Sequence, residues 1–201
     1  MKKMIYRLTA AACAVVLLAC SGNPTTEQHA ESAASWKQIE PKELADNPIV
    51  KIGSEWMALA AGNEADFNAM TIGWGTWGVL WGRPVVTVYV SSSRYTWEFM
   101  ERNDHFTVTG FPADCKPALS YIGSHSGRDS DKLREAGLTP EFTEQGNPLF
   151  REANLAVECK LLYKQPFDTA QVPENVQRMY ANGTGVHTMY VGEIEHVWIK
   201  E

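Results

Sequence analysis

The chain has 201 residues, with 18 Lys and Arg against 24 Asp and Glu and a formal net charge of −6. That acidic excess argues against nucleic acid or an anionic lipid surface as the main partner, while leaving room for a small anion in a local basic pocket. The four cysteines form no C-x-x-C pair, so a thioredoxin-like or zinc site has no support.

The first twenty residues read as a targeting segment. Lys2, Lys3 and Arg7 precede an apolar run from Leu8 to Ala19 that is too short to span a bilayer comfortably. The run closes Leu17-Leu18-Ala19-Cys20, which looks like a bacterial lipobox. Residues 1–19 are therefore expected to be a lipoprotein signal peptide and Cys20 the lipid-bearing first residue of the mature chain. The alternative is an ordinary secretory leader with an incidental cysteine. Two or three acyl chains would hold the protein on a membrane, where one chain is only a marginal anchor. Ser21, where an aspartate is absent, leans toward the outer membrane in a Gram-negative host. Losing Lys2, Lys3 and Arg7 leaves 15 basic against 24 acidic side chains, or −9.

Residues 20–38 are small and polar and read as a flexible tether. The remaining 39–201, about 160 residues, suits one domain around one core. Strands dominate it. They are expected over Glu55–Gly62, Asn68–Trp77, Val85–Val90, His105–Phe111, Asn154–Lys164 and His187–Lys200, from alternation and from β-branched and aromatic content. Helices are expected over Trp97–Asn103 with Thr96 as cap, over Cys115–Ile122, over Ser130–Ala136 ended by Gly137, and over Pro173–Tyr180. No strand–helix–strand rhythm is sustained, which favours an antiparallel barrel with inserted helices. Cys115 and Cys159 would share an oxidising compartment, and pairing or burial of Cys159 as a small hydrophobe are both open.

Gly73-Trp74-Gly75-Thr76-Trp77-Gly78 satisfies G-x-G-x-x-G literally, and Glu98 lies twenty positions beyond the last glycine. The dinucleotide reading fails on context. Those glycines must open a helix whose N-terminus faces a pyrophosphate, and Val79-Leu80-Trp81-Gly82-Arg83-Pro84 cannot carry that helix.

Three other stretches carry the chemistry. Ser91-Ser92-Ser93-Arg94-Tyr95-Thr96 joins hydroxyls, a guanidinium and a helix start, a combination suited to phosphate. Read alone, it is a polar strand-to-helix loop with a capping threonine. Asn68-Ala69-Met70-Thr71-Ile72-Gly73-Trp74 offers a strand with small residues on which a flat ring can lie, or an ordinary barrel strand with Met70 and Ile72 in the core. Ser126-Gly127-Arg128-Asp129-Ser130-Asp131-Lys132 reads alone as a solvated loop entering a helix.

In this order and spacing the three stretches resemble the flavin reductase-like, FMN-binding split-barrel family, which includes the flavoredoxins. The resemblance extends from about Trp56 to Val197. It implies a mainly β fold with inserted helices, a split β-barrel of Greek-key type, and FMN as cofactor. It implies phosphate contacts from Ser91, Ser93, Arg94 and Thr96, with the serine register open by one position. Backbone from Ala69 through Met70, Thr71 and Ile72 to Gly73 would line the flavin, with Asn68 and Trp74 close by. Lys132 would be a second cation at the phosphate or ring, and Ser126 a polar contact. Arg128 either joins them or pairs with an acidic neighbour. His187, ahead of Gly192-Glu193, matches a histidine on the family's late strand and would donate to the ring or a substrate if it faces the flavin; a structural histidine is the alternative. Trp74, Trp77 and Trp81 can roof a flavin or close a dimer interface. His105, His125 and His196 lack metal-ligand spacing, so no metal is expected.

The family's flavin sits between subunits, so a homodimer is expected. The expected activity is that of an FMN-dependent oxidoreductase or electron carrier. Export sets a problem for it, because NAD(P)H belongs to the cytoplasm; the electron donor is either NAD(P)H or an envelope redox partner. The alternatives are a flavin-binding or scavenging lipoprotein without turnover, and an envelope module whose tryptophans grip a glycan.

Overall fold

The structure, a computed structural model, describes residues 35–200. The expected leader, the lipid attachment at Cys20 and most of the tether lie outside the described residues. Residues 36–38, expected to belong to the tether, do not. β1 (Trp36–Ile39) is already a strand, pairing Trp36 with Lys200 and Ile39 with Val197 at the end of the last strand. Lys37 and Gln38 gave that segment its polar look, and the ladder overrides composition there.

After α1 (Pro48–Val50), a single turn that widens over Lys51–Glu55, the strands β2 (Met57–Asn63) and β3 (Asp66–Ile72) form a hairpin. β4 (Gly75–Leu80) and β5 (Arg83–Ser91) form the next one. Its two-residue turn, Trp81-Gly82, has positive φ at both positions (51° and 75°), the pairing that matches the twist of a tight hairpin. The expected strand Asn68–Trp77 is thus two strands broken at Gly73-Trp74. The G-x-G-x-x-G run occupies that break and β4, and a strand follows it where a nucleotide-binding turn would need a helix.

The remaining elements are α2 (Tyr95–Arg102), β6 (His105–Gly110), α3 (Lys116–Ser124), α4 (Lys132–Glu135), β7 (Pro140–Phe142), β8 (Pro148–Phe150), β9 (Leu155–Pro166), α5 (Glu174–Met179) and β10 (His187–Lys200). α2 begins one residue before Thr96, with Arg94 in the capping position. Thr96 is therefore not the cap but a buried residue of the first turn. α4 is shorter than expected: Asp131 caps it by accepting from the Arg134 N–H, and Gly137 lies beyond its end at φ 74°.

The main sheet runs β3-β2-β6-β9-β10-β5-β4, with β1 also pairing with β10, and every one of these ladders is antiparallel. Its two ends, β3 and β4, are consecutive in the chain but share no ladder among the described residues. The sheet nevertheless curls on itself. Met57 and Leu59 of β2, Met70 and Ile72 of β3, and Val86, Val88 and Val90 of β5 belong to one buried cluster with Phe106, Val157 and Tyr190. Strands far apart in the sheet order meet there because alternate residues of each point inward. The result is an antiparallel barrel left open between β3 and β4.

The outer face of β2 and β3 is lined by small residues, Ala58, Ala60 and Ala69, which let α3 approach through Leu119 and Ile122. Cys159 is a buried inward residue of β9 and Cys115 is half-buried beside the second cluster; both are free thiols. Burial pushes the Cys159 thiol well above its ordinary range, with Glu158 adding to the shift.

Candidate functional site

The open seam of the barrel carries two adjoining clefts that share Met70 and Arg94. The first forms where the ends of β3, β5 and β10 meet, and the second where β3 meets α2, α3 and the start of α4. The strand ends fix the backbone, and the loops after them supply the polar groups.

The first cleft, about 170 Å³, is lined by Met70, Thr71, Ile72, Gly73 and Trp74 from β3 and its break, with Tyr89, Ser91, Arg94 and His187 opposite. Thr71 donates its hydroxyl to the Leu119 carbonyl, which binds the outer helix to this strand. Trp74 is 54% exposed and its ring lies 5.0 Å from that of His187. The His187 Nδ1 sits 3.3 Å from the Tyr180 hydroxyl. Burial, and then the Arg94 charge, hold His187 below its ordinary value, so the ring is neutral at pH 7. Neutral imidazole can give or take one hydrogen bond, but brings no cation to this end of the groove.

The second cleft gathers Asn68, Ser93, Arg94, Tyr95, Thr96, Ser124, His125, Ser126 and Lys132 around Met70 and Ile122. Two cations line it and no carboxylate does. Lys132 is 4% exposed, and its ammonium donates to the carbonyls of Ile122 (2.9 Å) and His125 (3.0 Å). Burial, reinforced by the Arg94 charge, lowers its pKa to about 8. Arg94 donates through one nitrogen to the Gly123 carbonyl at 3.0 Å. An ammonium has three donors and a guanidinium five, so both keep donors for a ligand. A pair of neighbouring cations with no counter-ion among the described residues, in a cleft with hydroxyls, has the chemistry to take a phosphate group.

Two glycines are required by close approach. A Cβ on Gly127 would overlap the Asn68 Oδ1. Gly185, at φ 78°, would place one 2.7 Å from the Ser91 Oγ and 2.9 Å from the Ser93 nitrogen. The second contact exists because Thr184 accepts from both serines, at 2.7 Å from Ser91 and 3.0 Å from Ser93. Each hydroxyl has one proton. In this arrangement Ser91 and Ser93 therefore fasten the loop before β10, and the donors facing an anion come from Arg94, Lys132 and the Thr96 hydroxyl.

Of the fourteen residues proposed from sequence for cofactor or substrate contact, thirteen line one cleft or the other. The exception is Ala69, proposed for its backbone, whose side chain packs outward in the second cluster because alternation along β3 turns it away from Asn68 and Met70. Arg128 pairs with Glu98 and lies over the Tyr95 ring, so it supports the cleft wall without lining it. Sequence reasoning missed Tyr89, Tyr95, Ser124 and His125. Tyr89 was discoverable as the residue two before Ser91 on one strand face; His125 enters only because α3 ends there.

A family model described as "Flavin reductase like domain" matches residues 49–201. No curated protein sequence matches the chain. Solved structures do. An FMN-binding domain of a flavin reductases-like enzyme from Shewanella baltica superposes at TM-score 0.61 with 18% identity, over 83% of this chain and 78% of that one. An FMN-binding protein from Thermus thermophilus with bound p-hydroxybenzaldehyde gives 0.58 and 25%, over 73% and 71%. A flavin reductase with a split barrel domain from Shewanella frigidimarina gives 0.58 and 16%, over 72% and 66%. The open antiparallel barrel described above is this split-barrel fold.

Proposed function

Because the chain belongs to the flavin reductase-like domain family, we propose that it is an FMN-binding flavoprotein, an oxidoreductase or electron carrier anchored to the cell envelope. One observation carries this reading. The Arg94–Lys132 pair lines a cleft without a carboxylate, and that cleft adjoins a second one walled by the strand backbone of Met70 to Trp74. A flat ring bearing a chain that ends in phosphate fits the two together.

Arg94, Lys132 and Thr96 would hold the phosphate. Met70 to Gly73 would lie against the ring, with Trp74, Tyr89 and His187 at its border. When bound, FMN supplies hydride or electron transfer, which explains why no general acid–base pair is needed among the side chains. The protein's part is to fix the ring and shield it from water. Buried Met70 and Ile72 give the cleft an apolar floor, and neutral His187 presents a single imidazole hydrogen bond to a ring or substrate.

A dimer would complete the site, since Trp74 stands exposed at the cleft's edge and needs a cover. The expected leader and lipid-bearing Cys20 would put the protein outside the cytoplasm, on the outer membrane in a Gram-negative host. Its electrons would then come from an envelope redox partner in preference to NAD(P)H.

An absorbance spectrum of the purified mature protein titrated with FMN tests the reading. Saturable perturbation of the flavin bands that weakens in Arg94→Ala supports it; no perturbation at any FMN concentration overturns it. Stopped-flow mixing with NADH, NADPH and reduced carriers then separates an electron carrier from a scavenger, which would bind FMN and be reduced by none of them.

A further inference from the structure

A third cavity, about 260 Å³, is bounded by β1, β9, β10 and the β7–β8 hairpin and shares no lining residue with the two clefts above. Its walls are apolar and largely aromatic: Trp36, Phe142, Leu149 and Trp198. At its base lies Glu158, an outward residue of β9 with no exposed surface.

Glu158 is half satisfied. Its Oε1 accepts from the Thr143 hydroxyl at 2.5 Å and from the Asn147 amide at 2.7 Å. Its Oε2 is buried and has no hydrogen-bond partner among the described residues. Leaving such an acceptor unmade is costly, and an exception of this kind calls for an occupant. The His196 ring holds its Nε2 3.9 Å from that oxygen, beyond hydrogen-bond reach. That nitrogen lies 3.2 Å from the Gln145 amide, and the other ring nitrogen lies 3.2 Å from the Gln38 amide. The imidazole is thus held between Gln38 of β1 and Gln145 of the β7–β8 turn, and cannot turn to Glu158 without breaking both contacts.

The lining contains two carboxyl groups, Glu144 and Glu158, and no lysine or arginine. Aromatic walls around a carboxylate attract an organic cation through ring faces and charge together. A single free oxygen asks for one N–H donor. A planar two-donor group such as guanidinium would find the other oxygen already taken. The volume suits one ring with a short side chain.

We propose that this cavity is a second binding site, for a small aromatic ammonium compound whose N–H donates to Glu158 Oε2 and whose ring rests against Trp36 and Trp198. The site is independent of the flavin clefts, so its occupancy does not depend on FMN.

Calorimetric titration of the full mature chain with benzylamine at pH 7, with benzyl alcohol as the neutral control, tests this. Saturable one-to-one binding is expected, weaker by at least about tenfold for benzyl alcohol and for Glu158→Gln, since each replaces the ion-paired hydrogen bond by one with a single charged partner. FMN should leave the benzylamine affinity unchanged. Trp198→Leu, which alters a wall and leaves the Glu158 hydrogen bonds intact, should also weaken binding and serves if Glu158→Gln does not fold. The proposal is overturned if benzylamine does not saturate, if benzyl alcohol binds as well, if FMN displaces the amine, or if both variants bind like the parent.

Discussion

Asn68 on β3 donates through its amide nitrogen to the Thr96 hydroxyl on α2 over 2.7 Å, and both side chains are buried. This contact links two stretches of chain, 28 residues apart, that each supply part of the phosphate cleft. It also directs the Thr96 oxygen, which accepts from Asn68 and so keeps its own proton for a ligand. Asn68→Ala strands that oxygen, and Thr96→Val strands the amide; each should cost ~1–3 kcal/mol of stability. The double variant should cost clearly less than the two singles together, because neither partner is then left alone, with a coupling of ~0.5–3 kcal/mol. Urea unfolding of the four proteins measures this. Strictly additive losses would mean that the two side chains act separately.

Arg94 acts on two other groups at a distance. Its charge disfavours the protonated forms of both Lys132 and His187, in each case after burial as the larger cause. Arg94→Ala should therefore raise both pKa values, observable by NMR titration of the imidazole and the ammonium. FMN affinity should fall by at least about tenfold, the scale of a lost charge-assisted hydrogen bond. Higher pKa values with unchanged FMN affinity would place the phosphate elsewhere.

Much of this site is legible in the sequence because its parts are short and local. Ser91-Ser92-Ser93-Arg94-Tyr95-Thr96 must leave a β-branched strand and enter a helix, and the turn that does so fixes Arg94 at the cleft. The role of the serines was not legible. Their hydroxyls are taken by Thr184, which lies more than ninety residues away in sequence and is brought in only by β10 pairing with β5. The same holds for β1, whose polar middle conceals a strand that exists because β10 offers it a partner. Ala69 was read as a backbone contact, and the twofold alternation of the strand does turn its side chain away from the cleft, into the second cluster.

Lys132 makes the fold pH-dependent in a stated direction. Its folded pKa, about 8, lies below the value of ~10.4 for an unfolded chain. Below pH 8 both states hold the proton and the fold carries the full cost of a buried charge. Between the two values the unfolded chain binds more protons, so stability of the flavin-free protein should rise with pH, at the steepest by ~1 kcal/mol per unit. Lys132→Met should flatten that rise. Affinity for FMN should change oppositely, falling as pH passes 8 and the ammonium loses its charge. Thermal melts and flavin titrations across pH 7 to ~10.5 check both; parallel trends would show that Lys132 does not meet the phosphate.

The last prediction concerns β4, an end strand of the main sheet. Trp77 and Val79 lie on one face of it; Trp77 packs against the core, while Val79 is 77% exposed and Trp81, in the turn, 69% exposed. Edge strands that show large apolar side chains invite pairing or covering. Aromatic residues in such a patch are common anchors of subunit interfaces. If this hairpin closes the dimer, Val79→Ser combined with Trp81→Ser should shift the protein to monomer in sedimentation equilibrium. Both residues lie outside the two flavin clefts, so any loss of FMN affinity in that variant would come from losing the partner's cover over Trp74. A variant that stays dimeric and binds FMN like the parent would move the interface to another face. A monomer that binds FMN unchanged would mean that one chain makes the whole site.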